Sequence, residues 1–548
     1  MIKEKQKNNQ PPCLRQHQME ALTEIRKVIL QKKGKGRIVL PTGTGKTRIE
    51  METVDLIIKQ SKNKWPGVHV ILSPRILLAY QQLDEFLKFF GSRGIECDYR
   101  IVNSGGLNSK PYEEELLRFG FEHPEEISSG TSKSAIKQKI ISAKKKNVPL
   151  LIFSTYHSVR RVNDAAKECK IKVQTYIFDE AQYCVTNGEF KNVPNFPSAY
   201  KFFFTATEKT TDDPDGLGMN NETKFGKLIF TEKPKTMIER GEMSSVALHL
   251  VGIRGQEIVD DGSTIIYESM ARMVIDAFEK HRNVIKGYFA PDKIGPKMIV
   301  VCDKQDSLKG IMKSQAMKQY KMDNESINLC ALSSDFGIEI NDEWSWKASN
   351  SKKEELLVKL RELKSEDEVI VLHVDMIAEG LDVPGITAIM PFRSLGKIKF
   401  LQNLGRGTRL IDVDRHRLYD FEINPEDWKN YVKPYCWLIL PVLSANYYDQ
   451  RRRYTDYINI LRSCYDFESS DLVIIDSIVA PPEEEPMKDL VGQKERRFLT
   501  GKDLIEEIIH SIEDAAAMTE FMDNEFSFKG MSTKKQIELL QEIYRSEP

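Results

Sequence analysis

Residues Leu40 to Glu50 read LPTGTGKTRIE, a glycine-bracketed turn that runs straight into a lysine and a threonine. Main-chain N–H groups can be aimed at a phosphate only where no Cβ crowds the bend, and Gly43 and Gly45 give that freedom. Lys46 could then reach the terminal phosphates of a nucleoside triphosphate, and Thr47 could offer its hydroxyl to Mg²⁺. A helix starting near Lys46 would turn its positive end toward the same anion. The strict pattern begins with a glycine where this chain has Leu40, so a merely glycine-rich turn is the plain alternative. A second cluster bears on the choice. In VQTYIFDEAQYC an apolar run ends in Asp179 and Glu180, with Gln182 two residues on. An acid at a strand end can hold Mg²⁺ through water, the role expected of Asp179, and a neighbouring acid can act as base toward an attacking water, the role expected of Glu180. Two acids closing a strand are common by themselves; the two motifs together argue for ATP and Mg²⁺.

These groups need elements to place them. RIVL, before the turn, reads as a buried strand, and KTRIEMETVDLII, after it, reads as a helix. With 548 residues the chain is long enough for about three domains. Apolar residues make up 41% and charged residues 29%, and the net charge is −1, so any nucleic acid must be held by local basic patches. None of the eight cysteines forms a CxxC pair or sits at zinc-ligand spacing from a histidine, which points to reduced thiols in a cytosol-like compartment. No apolar run approaches the roughly 18 residues of a membrane span. The start, MIKEKQKNNQ, lacks the apolar stretch of a signal peptide, so a cytoplasmic or nucleoid-associated protein is expected, or one of the host cytoplasm if viral.

With both motifs in place the sequence resembles superfamily 2 helicases, the DExD/H-box group, and further segments follow that family's order. LRQHQMEAL, from Leu14, resembles the adenine-reading segment, with Gln18 at the glutamine position. LSPRILLAYQ, from Leu72, looks like motif Ia, and FSTYHS, from Phe153, resembles the strand-end motif that touches a nucleic-acid backbone. FFFTATE, from Phe202, carries the Thr-Ala-Thr of motif III. KMIVVCDKQDS, from Lys297, resembles motif IV, a strand opening the second domain. HVDMIAEGLDVPGI, from His373, and FLQNLGRGTRL, from Phe400, look like motifs V and VI. The box is DEAQ, and NNETKFGKLIF and MIERGEM resemble the linker of type III restriction-subunit-like and phage recombination-type helicases, which favours DNA over RNA.

The resemblance implies an α/β fold of two tandem RecA-like domains, parallel sheets flanked by helices, with ATP between them. It places Arg15, Gln18, Thr42, Gly43, Thr44, Gly45, Lys46 and Thr47 of the first domain, and Gly380, Asp382 and Gln402 of the second, at the nucleotide, with Gln182 and Gln402 bridging the interface. It makes Lys46, Asp179, Glu180, Gln182, Arg406 and Arg409 catalytic, and Thr47 and Asp179 the metal residues. Arg406 and Arg409 are three apart, so on one turn of a helix they would share a face toward the γ-phosphate. Thr205 and Thr207 would relay the nucleotide state to the nucleic acid. Pro74, Arg75, Ser154 and Thr155 would touch its backbone, with Asp303 and Lys304 nearby in the second domain. Such contacts carry no sequence information, so binding should be sequence-independent and salt-sensitive.

The expected domains are 1–235, 246–480 and a helical extension, 481–548, with the junction near 232–246. Between residues 104 and 147 an acidic piece, PYEEELL, precedes a basic one with Lys133, Lys137, Lys139 and Lys144 to Lys146; it reads as a solvated helix face or as an insertion contacting DNA. NYYDQRRRYTDYINILRS mixes Tyr447, Tyr448, Tyr454 and Tyr457 with Arg451 to Arg453, the composition either of an amphipathic helix or of a base-stacking segment. Glu485 and Lys488 lack nuclease spacing. The expected activity is an ATP-dependent DNA helicase or translocase. The alternatives are an RNA helicase, or a motor or scaffold subunit of a restriction or defence complex that recruits a separate nuclease or methyltransferase.

Overall fold

The computed structural model describes residues 13–475 except 33, 62–63, 105–128, 187, 214–216, 254–263, 289–293, 341–349, 375, 377–382, 393–394, 444–456, 458 and 466–472. The extension 481–548, Gly380 and Asp382, and Tyr447, Tyr448, Arg451 to Arg453 and Tyr454 lie outside the described residues.

The first sheet contains β1 (Gly34–Val39), β2 (Val68–Ser73), β3 (Asp98–Val102), β4 (Leu150–Thr155), β5 (Val173–Phe178), β6 (Ser198–Thr205) and β7 (Lys227–Thr231). Their order is β3-β4-β2-β5-β6-β1-β7, and every neighbouring pair is parallel. A parallel sheet is covered on both faces, and its central strands β2, β4 and β5 are buried almost throughout. Alternation then decides which layer each side chain joins. In β6, Phe202 and Phe204 enter one core and Phe203 the other; in β5, Ile177 joins the first and Tyr176 and Phe178 the second. The first core packs under helices α1 (Gln16–Leu30), α2 (Lys46–Gln60) and α3 (Ile76–Ser92), the second under α4 (Lys133–Lys146) and α5 (Val159–Glu168).

The basic piece is α4. Lys133 and Lys137 pair with Glu168, Lys139 and Lys146 pair with Asp98, and Lys144 lies over the Trp65 ring. Those cations are paired within the first half. NNETKFGKLIF is no linker: it forms a short helix, Glu222–Phe225, and the edge strand β7. Only MIERGEM lies in the connection, ending the helix α6 (Pro234–Glu239).

The second sheet starts earlier than motif IV. β8 (Ser245–Ile253) and the helix α7 (Thr264–Tyr288) precede β9 (Lys297–Val301), which therefore does not open the domain. The remaining strands are β10 (Asn328–Leu332), β11 (Gly337–Ile340), β12 (Val369–His373), β13 (Ala388–Pro391) and β14 (Tyr435–Leu443). The order runs β11-β10-β12-β9-β13-β14-β8, with β10, β12, β9, β13 and β14 parallel and β11 antiparallel to β10. Helices α8 (Gln305–Lys313), α9 (Gln315–Asp323), α10 (Asn350–Arg361), α11 (Lys397–Gly407) and α12 (Asp412–Tyr419) complete this half.

Residues 1–249 and 258–440 form one compact unit that holds both RecA-like halves. A second unit comprises 250–257 and 441–548. Its described parts are the ends of β8 and β14, the buried Tyr457, helical residues 459–465 and the strand β15 (Val473–Ile475).

Phe203 stacks on Phe178 at 4.3 Å and meets Phe225 edge-on at 5.2 Å. Phe203→Ala should therefore cost about 3–5 kcal/mol, read as a shift in urea midpoint. Phe421→Ala, at a ring 90% exposed, should stay within about 0.5 kcal/mol.

Candidate functional site

The register of the first sheet sets the site. Val39 lies opposite Thr205, Phe178 opposite Phe203 and Leu72 opposite Phe178, so β1, β6, β5 and β2 end along one edge. In open parallel sheets ligands meet the loops beyond the carboxyl ends of the strands. LPTGTGK leaves β1 at that edge, Asp179 and Glu180 leave β5 there, and Pro74 and Arg75 leave β2 there.

The glycines carry the loop. Gly43 and Gly45 sit at φ 87° and 86°, a region closed to other residues except under strain, and Gly45 is the N-cap of α2. Thr44 Oγ1 donates to the Pro41 carbonyl at 2.8 Å. Lys46 Nζ curls over the turn and donates to the carbonyls of Leu40 and Pro41 at 3.2 and 3.4 Å. It thereby lies over the cradle where phosphate oxygens could replace the carbonyls. Thr47 is half-buried in the first turn of α2. The segment before α1 braces the loop from behind: His17 Nε2 lies 2.8 Å from the Thr44 carbonyl, and Gln18 Nε2 donates to the carbonyls of Thr44 and Gly45 at 3.5 and 3.4 Å. The Gln18 carboxamide oxygen accepts from the Arg15 amide at 3.0 Å, and the Arg15 guanidinium pairs with Glu242 in the connection between the sheets. His17 is a residue the sequence reading missed. Burial lowers its pKa, so at neutral pH it bears on the loop as a neutral ring.

The acids beyond β5 are held as tightly. Glu180 has φ 50°, a strained setting for a non-glycine residue, and its amide donates to Asp179 Oδ1 at 2.9 Å. Gln182 Nε2 donates to Glu180 Oε2 at 2.8 Å, and the Gln182 carboxamide oxygen accepts from Thr205 Oγ1 at 2.6 Å. Thr205 Oγ1 in turn accepts from the Thr207 amide at 3.1 Å. Gln182 thus belongs to a relay inside the first half and does not bridge to the second. Gln82 on α3 adds a second relay: its amide donates to Asp179 Oδ2 at 2.9 Å and its oxygen accepts from Ser73, the last residue of β2, at 3.0 Å. No motif in the sequence singles out Gln82.

The electrostatics favour a cation. Desolvation, helped by the Glu180 carboxylate, pushes the Asp179 pKa up to about 7, against the pull of the Lys46 ammonium. Glu50 on α2, fully buried, is raised well above the usual carboxylate range by burial and by Asp179, and neither of its side-chain oxygens has a hydrogen-bond partner. These acids and Thr47 fit a Mg²⁺ ion. Among the described residues no group of three or more His, Cys, Asp or Glu could hold a metal by itself.

The second half meets this loop directly. A methyl group at Gly43 would lie 2.8 Å from Cγ of Arg409, and one at Gly405 would lie 2.7 Å from Cβ of Thr42. Gln402 and Arg406 of α11 line a small cleft with Thr42, Pro74, Leu78, Glu180 and Tyr183. The two arginines do not share a helix face: α11 ends at Gly407, so Arg406 lies in its last turn and Arg409 beyond it. They reach the site from separate backbone settings.

At the expected nucleic-acid edge Arg75 is exposed at the start of α3, and Asp303 and Lys304 are exposed just past β9. Ser154 and Thr155 are buried, and the Ser154 hydroxyl donates to the carbonyls of Val102 and Thr155 at 3.1 Å each. That hydroxyl ties β4 to β3 and is not presented at the surface.

The glycine turn after β1, the acid pair after β5 and Arg409 from the second sheet gather at one edge of the first sheet. Residues 12–210 match the model of the type III restriction enzyme res subunit. The fold of the whole is similar to that of an "ATP-dependent Type ISP restriction-modification enzyme LlaBIII bound to DNA", with a TM-score of 0.60 and 17% identity over 87% of this chain and 32% of that one. It is also similar to a nuclease-deletion mutant of the Type ISP enzyme LlaGI, with a TM-score of 0.51 and 17% identity over 84% of this chain and 30% of that one. No curated protein matches the chain. The res-subunit match is confined to residues 12–210, and the chain spans about a third of the length of the restriction enzymes whose fold it shares. Among the described residues no helix is long and apolar enough to cross a membrane.

Gly43→Ala should lower affinity for a fluorescent ATP analogue by more than about tenfold, because the new methyl both strains the loop and strikes Arg409. Gly94→Ala, with φ 67° but open space around it, should cost about 1–2 kcal/mol of stability and leave that affinity unchanged.

Proposed function

We propose that this chain is an ATP-driven motor that translocates on or remodels nucleic acid, DNA in preference to RNA. The observation that carries the reading is the seat of Arg409, a residue of the second half, against Gly43 of the phosphate loop in the first. A hydrolysis site completed by a residue from the other half is active only when the halves are closed, so each turnover is tied to closure and reopening.

In this reading Gly43, Thr44, Gly45 and Lys46 bind the phosphates, with Thr42 and Gln402 beside them, while Arg15 and Gln18 serve the base end. Thr47 and Asp179 would hold Mg²⁺, which supplies charge neutralisation at the phosphates when bound. Glu180 takes the proton of the attacking water, and its strained backbone and the Gln182 hydrogen bond fix the carboxylate's direction. Arg406 and Arg409 meet the charge that develops on the transferring phosphoryl group, a role that is worth about 10³–10⁵ in rate where it has been measured. The relay Asp179–Gln82–Ser73 leads to the end of β2, where the exposed Arg75 would meet a nucleic-acid backbone, and the relay Glu180–Gln182–Thr205–Thr207 leads to the end of β6. Gly380 and Asp382 remain candidates for the nucleotide on the sequence resemblance alone.

DNA is preferred because residues 12–210 match the res-subunit model and two solved structures of similar fold are Type ISP restriction enzymes, one bound to DNA and one in complex with a DNA substrate mimic. Their greater length supports a second reading of the same motor, as a subunit that works beside a separate nuclease or methyltransferase.

The test is ATP hydrolysis by the purified chain with duplex DNA, single-stranded DNA and RNA side by side. Duplex DNA should stimulate most, and the stimulation should fall steeply with salt; stimulation by RNA alone would replace DNA with RNA in the reading. Lys46→Ala should abolish turnover in every arm, since it removes the ammonium that lies on the loop carbonyls of Leu40 and Pro41. Arg409→Ala should cut kcat by about 10³-fold or more while nucleic-acid binding without nucleotide persists. Normal turnover in that variant, with DNA present, would remove the second half from the chemistry.

A further inference from the structure

Lys433 is buried, and neither the motifs nor the mechanism above uses it. Burying an ammonium is costly, and Lys433 is compensated in an unusual place. Its Nζ donates to the carbonyl of Gly407, the last residue of α11, at 2.5 Å and to the carbonyl of Arg409 at 2.6 Å. The final carbonyls of a helix have no partner within it, and a cation there also answers the negative end of the helix dipole.

Arg409 needs such a tie more than Arg406 does. Arg406 sits inside α11, where the helix fixes its backbone, whereas Arg409 is two residues past the end. What holds the main chain there comes from outside the helix. The Ser244 amide donates to the Thr408 carbonyl at 2.9 Å, and the Lys433 ammonium takes the next carbonyl. The segment bearing Lys433 is anchored to the element that follows Arg409: Asp414 in α12 accepts from the amides of Val432 at 2.7 Å and Lys433 at 2.9 Å. The stretch from Gly407 to Asp414 is therefore stapled at both ends to residues 432–433.

We propose that Lys433 is a positioning residue for Arg409: by holding the carbonyls at the end of α11 it fixes the backbone from which the guanidinium reaches the phosphate loop. The proposal rests on the motor reading for its effect on turnover, but the staple itself is a property of the fold. An apolar side chain would fill the same space without the cost of a buried charge, and it would leave both carbonyls unpaired and the Arg409 backbone free to shift.

Two measurements test it. The first is independent of turnover. Amide hydrogen exchange in residues 405–411 should quicken in Lys433→Met, while exchange in β1, β5 and β6 stays as in the wild type. Unchanged exchange at 405–411 would overturn the staple whether or not the chain hydrolyses ATP. The second is a double-mutant cycle on nucleic-acid-stimulated hydrolysis. Lys433→Met should lower kcat by about tenfold or more with KM for ATP within about threefold, and it should cost less than about twofold in an Arg409→Ala background, because the group it positions is gone. Equal losses in both backgrounds would mean that Lys433 acts only on general stability, and would overturn the positioning role. Lys433→Gln keeps one donor and the fold's polar contact. It should fall between wild type and methionine, and it carries the same cycle if Lys433→Met does not fold. Absence of hydrolysis in the wild type with every nucleic acid would defeat the motor reading, and the exchange measurement would still decide the staple.

Discussion

The contact between Arg409 and Gly43 is the constraint on which the rest of the site turns. Gly43 must lack a side chain for two reasons at once: its φ of 87° shapes the phosphate cradle, and the aliphatic part of Arg409 occupies the space a Cβ would take. A loop that binds phosphate through its own amides needs only the first. The second ties the cradle to a residue some 360 positions later in the chain, in another sheet. Gly405 against Thr42 repeats the pattern two residues before the end of α11. Two glycine positions, one from each half, thus let the backbones approach closely where a nucleotide's phosphates would sit.

That approach would be of little use without a charge imbalance awaiting it. Asp179, Glu180 and the buried Glu50 crowd three carboxyl groups around one lysine ammonium. Burial and mutual repulsion push two of these acids upward, which is the state of a site built for more positive charge than the bare protein provides. Lys46 rests on loop carbonyls, a contact it can exchange for phosphate oxygens. The strain at Glu180 has the same logic, since the chain spends backbone energy to aim one carboxylate and secures it through Gln182 and Thr205.

What could be read from the sequence followed from how local each feature is. The phosphate loop, the helix behind it and the acid pair are each written within about a dozen residues, and their strands and helices form as the apolar periodicity dictates. Features that depend on distant partners were not legible. Gln82, His17 and Lys433 are ordinary residues in their own segments and gain meaning only from Asp179, the Thr44 carbonyl and the end of α11. The spacing of Arg406 and Arg409 suggested one helix face because nothing in GRGTRL marks Gly407 as the last helical residue. Ser154 has the right chemistry for a backbone contact, yet its position in the sheet turns that hydroxyl to a neighbouring strand. NNETKFGKLIF read as a connection, but its apolar end pairs with β1 as one more parallel strand.

The two relays that leave the acids show how the fold could carry information as well as force. Gln182 and Gln82 grip opposite neighbours, Glu180 and Asp179, and each continues to a different strand end, β6 through Thr205 and β2 through Ser73. Carboxamides suit this task because each offers a donor to an acid and an acceptor to a hydroxyl, with no charge of its own to titrate. Gln82 also accepts from the Ser73 hydroxyl, and the start of α3, with Pro74 and the exposed Arg75, lies next in the chain. If the Glu180 carboxylate turns and Gln182 follows it, the Thr205 hydroxyl keeps the Thr207 carbonyl, 2.9 Å away, as its acceptor. Each acid is thus one carboxamide away from a strand end, Asp179 from β2 and Glu180 from β6, on the same edge of one sheet.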